Sequence, residues 1–583
     1  MPQWLHLQSG DELPFFVRPN QRANTAADIL CPCLQSLCSR RRLSRFFIAL
    51  VAFFVVTGFL YIQFYDFPHE LNNAATLFAV DKGAHANIHV DTITTKIIAS
   101  ADDDGEISKV GAEDERVISP PKLPIFNGPT NDRQRAVREA FSRAWAAYRS
   151  YAWGQDQLRP LSKGYQKWMD CGLTIVDSLD TIIIMGLKEE YSEAKAWIEE
   201  KLDFEKNRFV NLFETTIRVL GGLLSGFVLT GDSVFLKKAR DLGERLIGAM
   251  NSPSAVPFSD VNLKTKNGKQ PDWNSESSLS EITSIQLEFR TLSRLINNDT
   301  FEKRAFAISE HIHELGCAEH DGLCGMFLSP KTGKFLSGTT ITFGARSDSY
   351  YEYLLKQWLQ LGKSVNWLIE DYKQAVKSMS ERLWRQSEPQ KFAFIGELLG
   401  GKTFSPKMDH LACFMAGTLA LGVRHAGMPD SHMDMAKNLS RTCFEFYNTA
   451  TGLAPEIVYF NMLPGAKQDL IIKPLDTHCL LRPEAFEAWF YMYRATGDPR
   501  YQEWGWKAFQ AIERHARPPN GVGYASVNNV KNVPVTHRDL METFFLSETL
   551  KYLYLLFADE QSILPLDDYV FNTEGHPLPV YNS

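Results

Sequence analysis

The chain has 583 residues and a formal net charge of −7, with 44% hydrophobic and 22% charged residues. These proportions are those of a globular protein, and the length allows either several domains or one large helical toroid. The charge gives no reason to expect a nucleic-acid partner, and the sequence contains neither a Gly-rich phosphate loop nor a Cys/His cluster with zinc spacing.

A membrane anchor is predicted near the N-terminus. Residues 1–45 end in a group of arginines, and residues 46–65 form an uncharged, almost wholly apolar run of about 20 residues, the length that spans a bilayer. Because the basic side of such a segment stays in the cytosol, we expect a single-pass type II protein with a cytosolic tail and a luminal C-terminal part. A cleaved signal peptide is disfavoured, since the run is long and lies far from the first residue.

A stem and a helical domain are predicted after the anchor. Residues 66–128 are acidic and proline-containing, with too little apolar surface to fold alone, so we expect a disordered luminal stem. The helical domain is predicted over residues 129–583 and begins with the spaced apolar residues of 135–148. Long alternating strands are few, and only segments 333–341 and 521–527 are predicted as short hairpin pieces.

An acidic residue stands at the start of one apolar helical segment after another. Glu214 precedes a run that stays apolar to Leu229 except for Arg218, which lies one helical turn on and on the same face. The acids that open such segments are Asp180, Glu214, Glu281, Asp348, Asp409, Glu484 and Glu548. From Glu214 onwards they recur roughly every 60 to 75 residues, which predicts a toroid of helical hairpins whose inner helices direct their acids into one cavity. The alternative for each acid is an ordinary role at a helix N-terminus.

A cavity lined by carboxylates, arginine, histidine and aromatic rings is suited to a sugar. Carboxylates and arginines hydrogen-bond hydroxyl groups, and aromatic rings pack on the apolar face of the sugar. Glycoside hydrolysis needs one protonated and one ionised carboxyl group, and crowded acids raise one another's pKa. Excess carboxylates also suit a hard cation such as Ca²⁺. A sugar-binding module without turnover is the alternative.

Cysteines and glycosylation sequons agree with a luminal compartment. Cys413 and Cys443 lie in adjacent predicted helices and are candidates for a disulfide bridge, and Cys317 and Cys324 flank a turn-like segment that a second bridge would close. Two sequons are predicted as glycosylation sites, at Asn298 and Asn438.

Six sequence motifs resemble those of one enzyme family. Segment 172–181, Gly-Leu-Thr-Ile-Val-Asp-Ser-Leu-Asp-Thr, resembles the signature of the class I α-1,2-mannosidases, glycoside hydrolase family 47. The other matching stretches follow in family order between about residue 130 and the C-terminus: the run at Glu214, 344–352, 408–411, 481–484 and 571–577. The resemblance implies an all-α fold, an (α/α)7 barrel. It also implies removal of terminal α-1,2-linked mannose from Man9 N-glycans, with inversion at the anomeric carbon.

The resemblance also implies roles for individual residues. Glu214 matches the general acid, thought to act through a water, and Glu484 matches the base that activates the attacking water. Asp348 matches a third catalytic carboxylate, which shares the acid assignment with Glu214. Thr573 matches the residue whose carbonyl and hydroxyl groups bind Ca²⁺. The positions that match residues lining the cavity or holding calcium-bound waters are Arg218, Glu281, Glu352, His410, Glu456, Glu487, Phe544, Glu548 and Glu574.

Two further positions bear on subtype and compartment. Arg346 matches an arginine typical of the endoplasmic-reticulum type, where Golgi-type relatives carry leucine, and it implies a mainly Man8 product. Cys413 and Cys443 match the family's disulfide pair, which the degradation-enhancing relatives lack. The expected substrates are glycoproteins with high-mannose N-glycans, and the expected location is the endoplasmic-reticulum membrane. The alternatives are a mannose-binding quality-control factor with little or no catalysis, and a Golgi-type enzyme that removes several mannoses.

Overall fold

Helices dominate the part of the chain that the computed structural model describes, residues 123–317 and 321–581. The helices are α1 (Asp132–Tyr151), α2 (Leu173–Asp177), α3 (Leu179–Ile184), α4 (Lys188–Glu200), α5 (Leu212–Glu214), α6 (Gly221–Thr230), α7 (Ser233–Leu246), α8 (Leu279–Thr283), α9 (Gln286–Ile296), α10 (Thr300–Leu315), α11 (Asp348–Gln360), α12 (Asn366–Arg382), α13 (Phe414–Ala426), α14 (Asp430–Glu445), α15 (Glu484–Thr496), α16 (Arg500–His515) and α17 (Leu550–Leu556). π-Helical segments join α5 to α6 (Thr215–Leu220) and precede α17 (Phe545–Thr549), and short 3₁₀ turns occur elsewhere, one of them His410–Cys413. The predicted cytosolic tail and anchor, and the predicted stem up to residue 122, lie outside the described residues.

Strands in the described residues are two to four residues long and pair antiparallel. They are β1 (Gln157–Arg159), β2 (Gly164–Gln166), β3 (Phe209–Asn211), β4 (Asp260–Asn262), β5 (Gly268–Lys269), β6 (Ser277–Ser278), β7 (Phe327–Leu328), β8 (Trp384–Gln386), β9 (Ala393–Ile395), β10 (Glu397–Leu399), β11 (Thr403–Ser405), β12 (Lys407–Asp409), β13 (Ile457–Phe460), β14 (Leu470–Ile471), β15 (Tyr569–Phe571) and β16 (Pro577–Pro579). Three-stranded sheets form from β3, β4 and β5 and from β12, β13 and β14, and the remaining strands form pairs of sequence neighbours. The segments predicted as short hairpin pieces, 333–341 and 521–527, each hold an antiparallel bridge to a nearby segment, Leu328 to Phe335 and Val527 to His537. Backbone hydrogen bonds flank both bridges, so local hairpin pairing is confirmed, although it extends to no further strand residues in these two segments.

Within the described residues, seven helices contact one another in a closed order. Helix α3 contacts α6, and the order continues through α9, α11, α13, α15 and α17, which contacts α3 again. We call these the ring helices. Each also contacts a second helix, in turn α4, α7, α10, α12, α14, α16 and α1. The predicted helical fold is confirmed.

Sequence composition separates the ring helices from their partners. Helix α6 is buried from Gly221 to Leu229, as expected for a helix that is apolar on all sides. Its partner α7 buries one face, through residues such as Phe235, Ala239 and Leu242, and carries its charges on the other. The continuous helix Leu212–Thr230 has the length and hydropathy of a membrane span, but its apolar window is fully buried, which is also typical of a core helix.

The hairpin of β15 and β16 lies against the ring helices. Strand β15 contacts α11 and β16 contacts α6 and α9, and the turn between them is buried at Asn572, Glu574 and His576. Gly221 permits this close approach, because a Cβ atom there would lie 2.8 Å from Asn572 Nδ2 and 2.9 Å from the His576 ring. A Cβ atom on the next residue, Gly222, would lie 2.5 Å from the backbone oxygen of Val176 in α2, so neither position accepts a side chain.

Disulfide bonds join Cys413 to Cys443 and Cys317 to Cys324. The first links the start of ring helix α13 to its partner α14, and the second closes the loop after α10. Both bridges predicted as candidates are therefore present.

Candidate active site

Glu214 and Arg218 form a buried ion pair, as their spacing predicts. The helix that carries them starts after Asn211, whose side-chain oxygen accepts a hydrogen bond of 3.0 Å from the Glu214 backbone N–H. Arg218 Nε lies 2.8 Å from Glu214 Oε2, and the two residues are 9% and 1% exposed. Arg218 lies within the π-helical segment 215–220, a distortion that is common at functional sites.

Arg218 is surrounded by carboxylates and aromatic rings. Its guanidinium pairs with Glu574 and lies 3.7 Å from Asp177. The rings of Trp168 and Phe544 lie 5.7 and 5.9 Å from the guanidinium carbon. The ring of Phe544 also lies against a second guanidinium, that of Arg482, at 5.5 Å. These contacts fix Arg218 in one orientation and place an aromatic surface beside the carboxylates.

Glu574, Glu548 and Glu487 form a crowded group of buried carboxyls next to Arg218. Burial, with the charges of Asp177 and Glu214, raises the pKa of Glu574 to about 8 against the opposing effect of Arg218. Burial and the charges of Glu574, Glu484 and Glu487 raise the pKa of Glu548 well above its ordinary value. Burial likewise raises the pKa of Glu487 to about 8. This group therefore retains protons at neutral pH.

Asp348 belongs to the same cluster. It is the first residue of α11, and its side chain accepts a hydrogen bond of 2.9 Å from the Ser349 backbone N–H. Burial raises the pKa of Asp348 to about 7, with further contributions from the charges of Glu352, Glu484 and Asp409. Asp348 therefore exchanges its proton near neutral pH, which suits a residue that donates or shares a proton.

Glu352 and Glu487 share one buried cation. Lys356 pairs with Glu352 one turn away and lies 3.5 Å from Glu487, and its side chain is fully buried. The paired carboxylates raise the pKa of Lys356 although burial opposes this, so the lysine stays charged. Sequence reasoning missed Lys356, although its spacing from Glu352 in an apolar helix is the same signal that identified Glu214 and Arg218.

Glu484 is held by a histidine. It opens ring helix α15, and its Oε2 atom lies 2.9 Å from His410 Nδ1. The other ring nitrogen of His410 lies 3.2 Å from the Tyr447 hydroxyl. These two bonds orient the carboxylate, and sequence reasoning missed Tyr447, which carries no motif signal of its own.

Glu281 and Glu456 serve local structure as well as bordering the cluster. Glu281 accepts hydrogen bonds from the Ser278 backbone N–H and hydroxyl in a capping box, and a bond of 3.2 Å from Asn211 Nδ2. Glu456 pairs with Arg482 and accepts a bond of 2.9 Å from the Leu480 backbone N–H. The alternative of ordinary helix-terminal roles therefore holds for Glu281.

Arg346 contacts two aromatic rings. Its guanidinium packs over the rings of Trp273 and Phe327, at 5.3 and 5.7 Å. Its backbone φ of +78° lies in the left-handed region that a non-glycine residue rarely adopts. Trp273 is 44% exposed, whereas Arg346 is only 8% exposed, so the indole ring covers the guanidinium on the solvent side.

Thr573 lies in the turn of the β15–β16 hairpin, between buried Asn572 and Glu574. Its backbone N–H donates a hydrogen bond of 3.3 Å to the Tyr353 hydroxyl. In the described residues, no group of three or more His, Cys, Asp or Glu side chains converges as a direct metal site. The oxygen donors nearby suit a hard cation bound largely through water, and such a cation would favour the ionised form of the crowded carboxyls.

The two predicted glycosylation sites lie on the surface. Asn298 follows α9 in an exposed turn, and Asn438 is exposed on α14. The hydroxyl-bearing residue of the second sequon, Ser440, is buried.

Comparisons with known proteins identify the family. The sequence profile of glycosyl hydrolase family 47 matches residues 140–580. The chain is 52% identical over 457 residues to the endoplasmic reticulum mannosyl-oligosaccharide 1,2-alpha-mannosidase of Rattus norvegicus, covering 78% of this chain and 69% of that protein. It is 39% identical over 459 residues to the mannosyl-oligosaccharide 1,2-alpha-mannosidase IB of Homo sapiens, covering 77% of this chain and 70% of that protein.

A solved structure agrees with this assignment. The alpha-1,2-mannosidase from Trichoderma reesei superimposes with a TM-score of 0.71 at 28% identity, covering 78% of this chain and all of that one. The chain therefore belongs to glycosyl hydrolase family 47 and is a glycosidase of the 1,2-α-mannosidase type.

Proposed function

We propose that this chain is a calcium-dependent, inverting exo-α-1,2-mannosidase that trims terminal mannose from Man9 N-glycans, mainly to Man8. One observation carries the proposal. Buried ion pairs join Glu214, Arg218 and Glu574, and the charges of Glu574 and Glu484 contribute to raising the pKa of Glu548 next to them. The closed contact order of the ring helices, each with an outer partner, supports an (α/α)7 barrel that directs these acids into one cavity.

Glu484 is the proposed base. Its carboxylate is oriented by His410 at 2.9 Å and stands at the N-terminus of α15. An ionised carboxylate fixed in this way accepts a proton from an attacking water. In an inverting enzyme that water attacks the anomeric carbon from the face opposite the leaving group.

Glu214 is the proposed acid and delivers its proton through a water. Asp348 is the third catalytic carboxylate and the alternative donor, because its pKa of about 7 leaves it partly protonated under neutral conditions. Arg218 holds the Glu214 carboxylate in place and, with Phe544, forms a surface for the sugar ring.

Thr573 is the proposed calcium ligand, through its carbonyl and hydroxyl oxygens. The surrounding carboxyls of Glu352, Glu487, Glu548 and Glu574 would hold the waters that complete the coordination shell. When bound, calcium supplies a template for two mannose hydroxyls and electrophilic stabilisation of the distorted ring. Glu456 and Glu281 support the walls of the cavity through their neighbours Arg482 and Asn211.

Arg346 is proposed to restrict trimming to one residue by binding a branch of the glycan with Trp273. The relatives' names support a mannosyl-oligosaccharide as the substrate and the endoplasmic reticulum as the location. The proposed substrates are high-mannose N-glycans on glycoproteins. The anchor at residues 46–65, with a luminal catalytic domain, completes the proposal as a single-pass type II membrane protein.

Digestion of Man9 glycan by the detergent-solubilised full chain tests this function. A Man8 product that depends on added calcium is the expected result. Glycan that is bound and left intact would favour the quality-control lectin, and successive loss of several mannoses would favour the Golgi-type enzyme.

A further inference from the structure

Next to Arg218 lies a cluster of four buried charged residues, Asp177, Asp180, Lys551 and His576. None of them takes part directly in the proposed reaction. His576 Nδ1 lies 2.8 Å from Asp180, and its Nε2 atom lies 3.3 Å from Asp177. Lys551 Nζ lies 2.8 Å from the other oxygen of Asp180. All four side chains are fully buried. We call these residues the basal charge cluster.

The basal charge cluster is electrically balanced. Although burial lowers the pKa of His576, Asp180 and Asp177 together raise it to about 9, so the imidazole is a cation at neutral pH. Although burial raises the pKa of Asp180, the charges of Lys551 and His576 lower it to about 2. Two anions therefore face two cations, and the loss of any one member leaves an uncompensated buried charge.

The cluster connects the C-terminal hairpin to the helices of the signature motif. His576 belongs to the turn that carries Thr573 and Glu574, and Lys551 donates a hydrogen bond of 2.7 Å to the Gly575 carbonyl. Asp177 ends α2 and Asp180 lies in α3. The cluster therefore links the turn to α2, α3 and α17.

The two aspartates differ in one respect. Among the described residues, Asp177 and not Asp180 pairs with Arg218, through a contact of 3.7 Å between Asp177 Oδ2 and Arg218 Nη1. Asp180 instead accepts a hydrogen bond of 2.9 Å from the Ser225 hydroxyl. Asp177 thus touches the far side of the guanidinium whose Nε holds Glu214.

We propose that Asp177, held in place by His576, is a positioning residue that orients Arg218 and, through Arg218, the acid Glu214. The inference rests on the catalytic roles proposed for Arg218 and Glu214. It assigns a purpose to the first aspartate of the signature motif, which contacts the guanidinium of Arg218. His576 holds Asp177 in place, whereas Asp180 and Lys551 contribute stability.

Asp177→Asn and Asp180→Asn are a matched pair for testing this. Both remove one buried charge from the same cluster, and both leave His576 with a single anionic partner. Loss of the charged contact to Arg218 in Asp177→Asn should reduce kcat about tenfold or more with little change in KM. Asp180→Asn should lower the melting temperature similarly, while the folded variant keeps kcat within about threefold of wild type.

A double-mutant cycle separates positioning from general destabilisation. In an Arg218→Lys background, Asp177→Asn should lower kcat by less than about a further twofold, because no guanidinium group is then left for Asp177 to orient. Equal losses of kcat in the two Asn variants, or an undiminished loss in the Arg218→Lys background, would overturn the inference. If Asp177→Asn does not fold, Asp177→Glu carries the same comparison with the charge kept and the carboxylate displaced.

The outcome also distinguishes this inference from the proposed function. An active wild-type enzyme with indistinguishable Asn variants overturns the positioning role and leaves the mannosidase proposal intact. A wild-type chain that binds Man9 without cleaving it overturns both.

Discussion

Replacement of Glu484 by glutamine should stop hydrolysis without unfolding the protein. The amide keeps the size of the carboxylate and one hydrogen bond to His410, at 2.9 Å in the native enzyme, but it cannot take a proton from water. A positioned general base contributes about 10² to 10⁴ in rate, so kcat should fall by at least about a hundredfold, or about 2.7 kcal/mol of barrier. The pKa of Asp348 should fall too, because the Glu484 charge contributes to raising it.

The assay is single-turnover cleavage of fluorescently labelled Man9, with folding checked by near-UV circular dichroism. Glu397→Gln is the control. Like Glu484, Glu397 is a glutamate with a basic partner, in this case Lys407 at 3.0 Å, but it is not among the proposed catalytic or calcium-binding residues. It should lose stability and keep most of its activity. A folded Glu484→Gln enzyme with a kcat near that of wild type would remove Glu484 from the role of base.

Four further predictions concern the pH dependence of stability, the cation, the product and the disulfide. The pKa of Asp348 is raised to about 7 in the folded protein, so its protonated form stabilises the fold. This contribution is complete below the unfolded pKa of about 4 and is lost as the pH rises to 7. After chelation, the melting temperature should therefore fall over that pH range, and it should fall less steeply in Asp348→Asn. Calcium should raise the melting temperature and restore activity, and Thr573→Val should abolish both effects in calorimetry; full activity after chelation would contradict the calcium proposal. Arg346→Leu should extend trimming beyond Man8 by mass spectrometry, and an unchanged product profile would exclude Arg346 from branch selection. Serine at both Cys413 and Cys443 opens a loop of 30 residues and should lower the free energy of unfolding by about 3 to 4 kcal/mol. Denaturant titration measures this loss, and a much smaller loss would contradict the prediction.

The sequence predicts the ring because of a simple physical requirement. A helix such as 212–230 that is apolar on every side has to be buried, so its hairpin partner must form the surface. The recurrence of that pattern predicts a toroid of helical hairpins without any knowledge of tertiary contacts, whereas the number seven is implied by the family resemblance. The short hairpin pieces predicted at 333–341 and 521–527 pair with nearby residues through single antiparallel bridges.

The site is predictable in part for the same reason. Local spacing reveals Glu214 with Arg218, whose contact lies within one helical turn. It does not reveal the contact between His410 and Glu484, or that between Arg218 and Glu574, because these join segments far apart in the chain. The resemblance to a known family supplies such pairs as candidates, and the three-dimensional arrangement then shows which carboxyls crowd one another enough to shift their pKa.

Proton NMR during the first minutes of Man9 cleavage by the full chain tests the central claim most directly, because the anomeric signal reports both bond cleavage and its stereochemistry. If the buried acids act as one inverting site, mannose should appear first as the β anomer and then equilibrate. Initial release of α-mannose, or no release in the presence of calcium, would contradict the account.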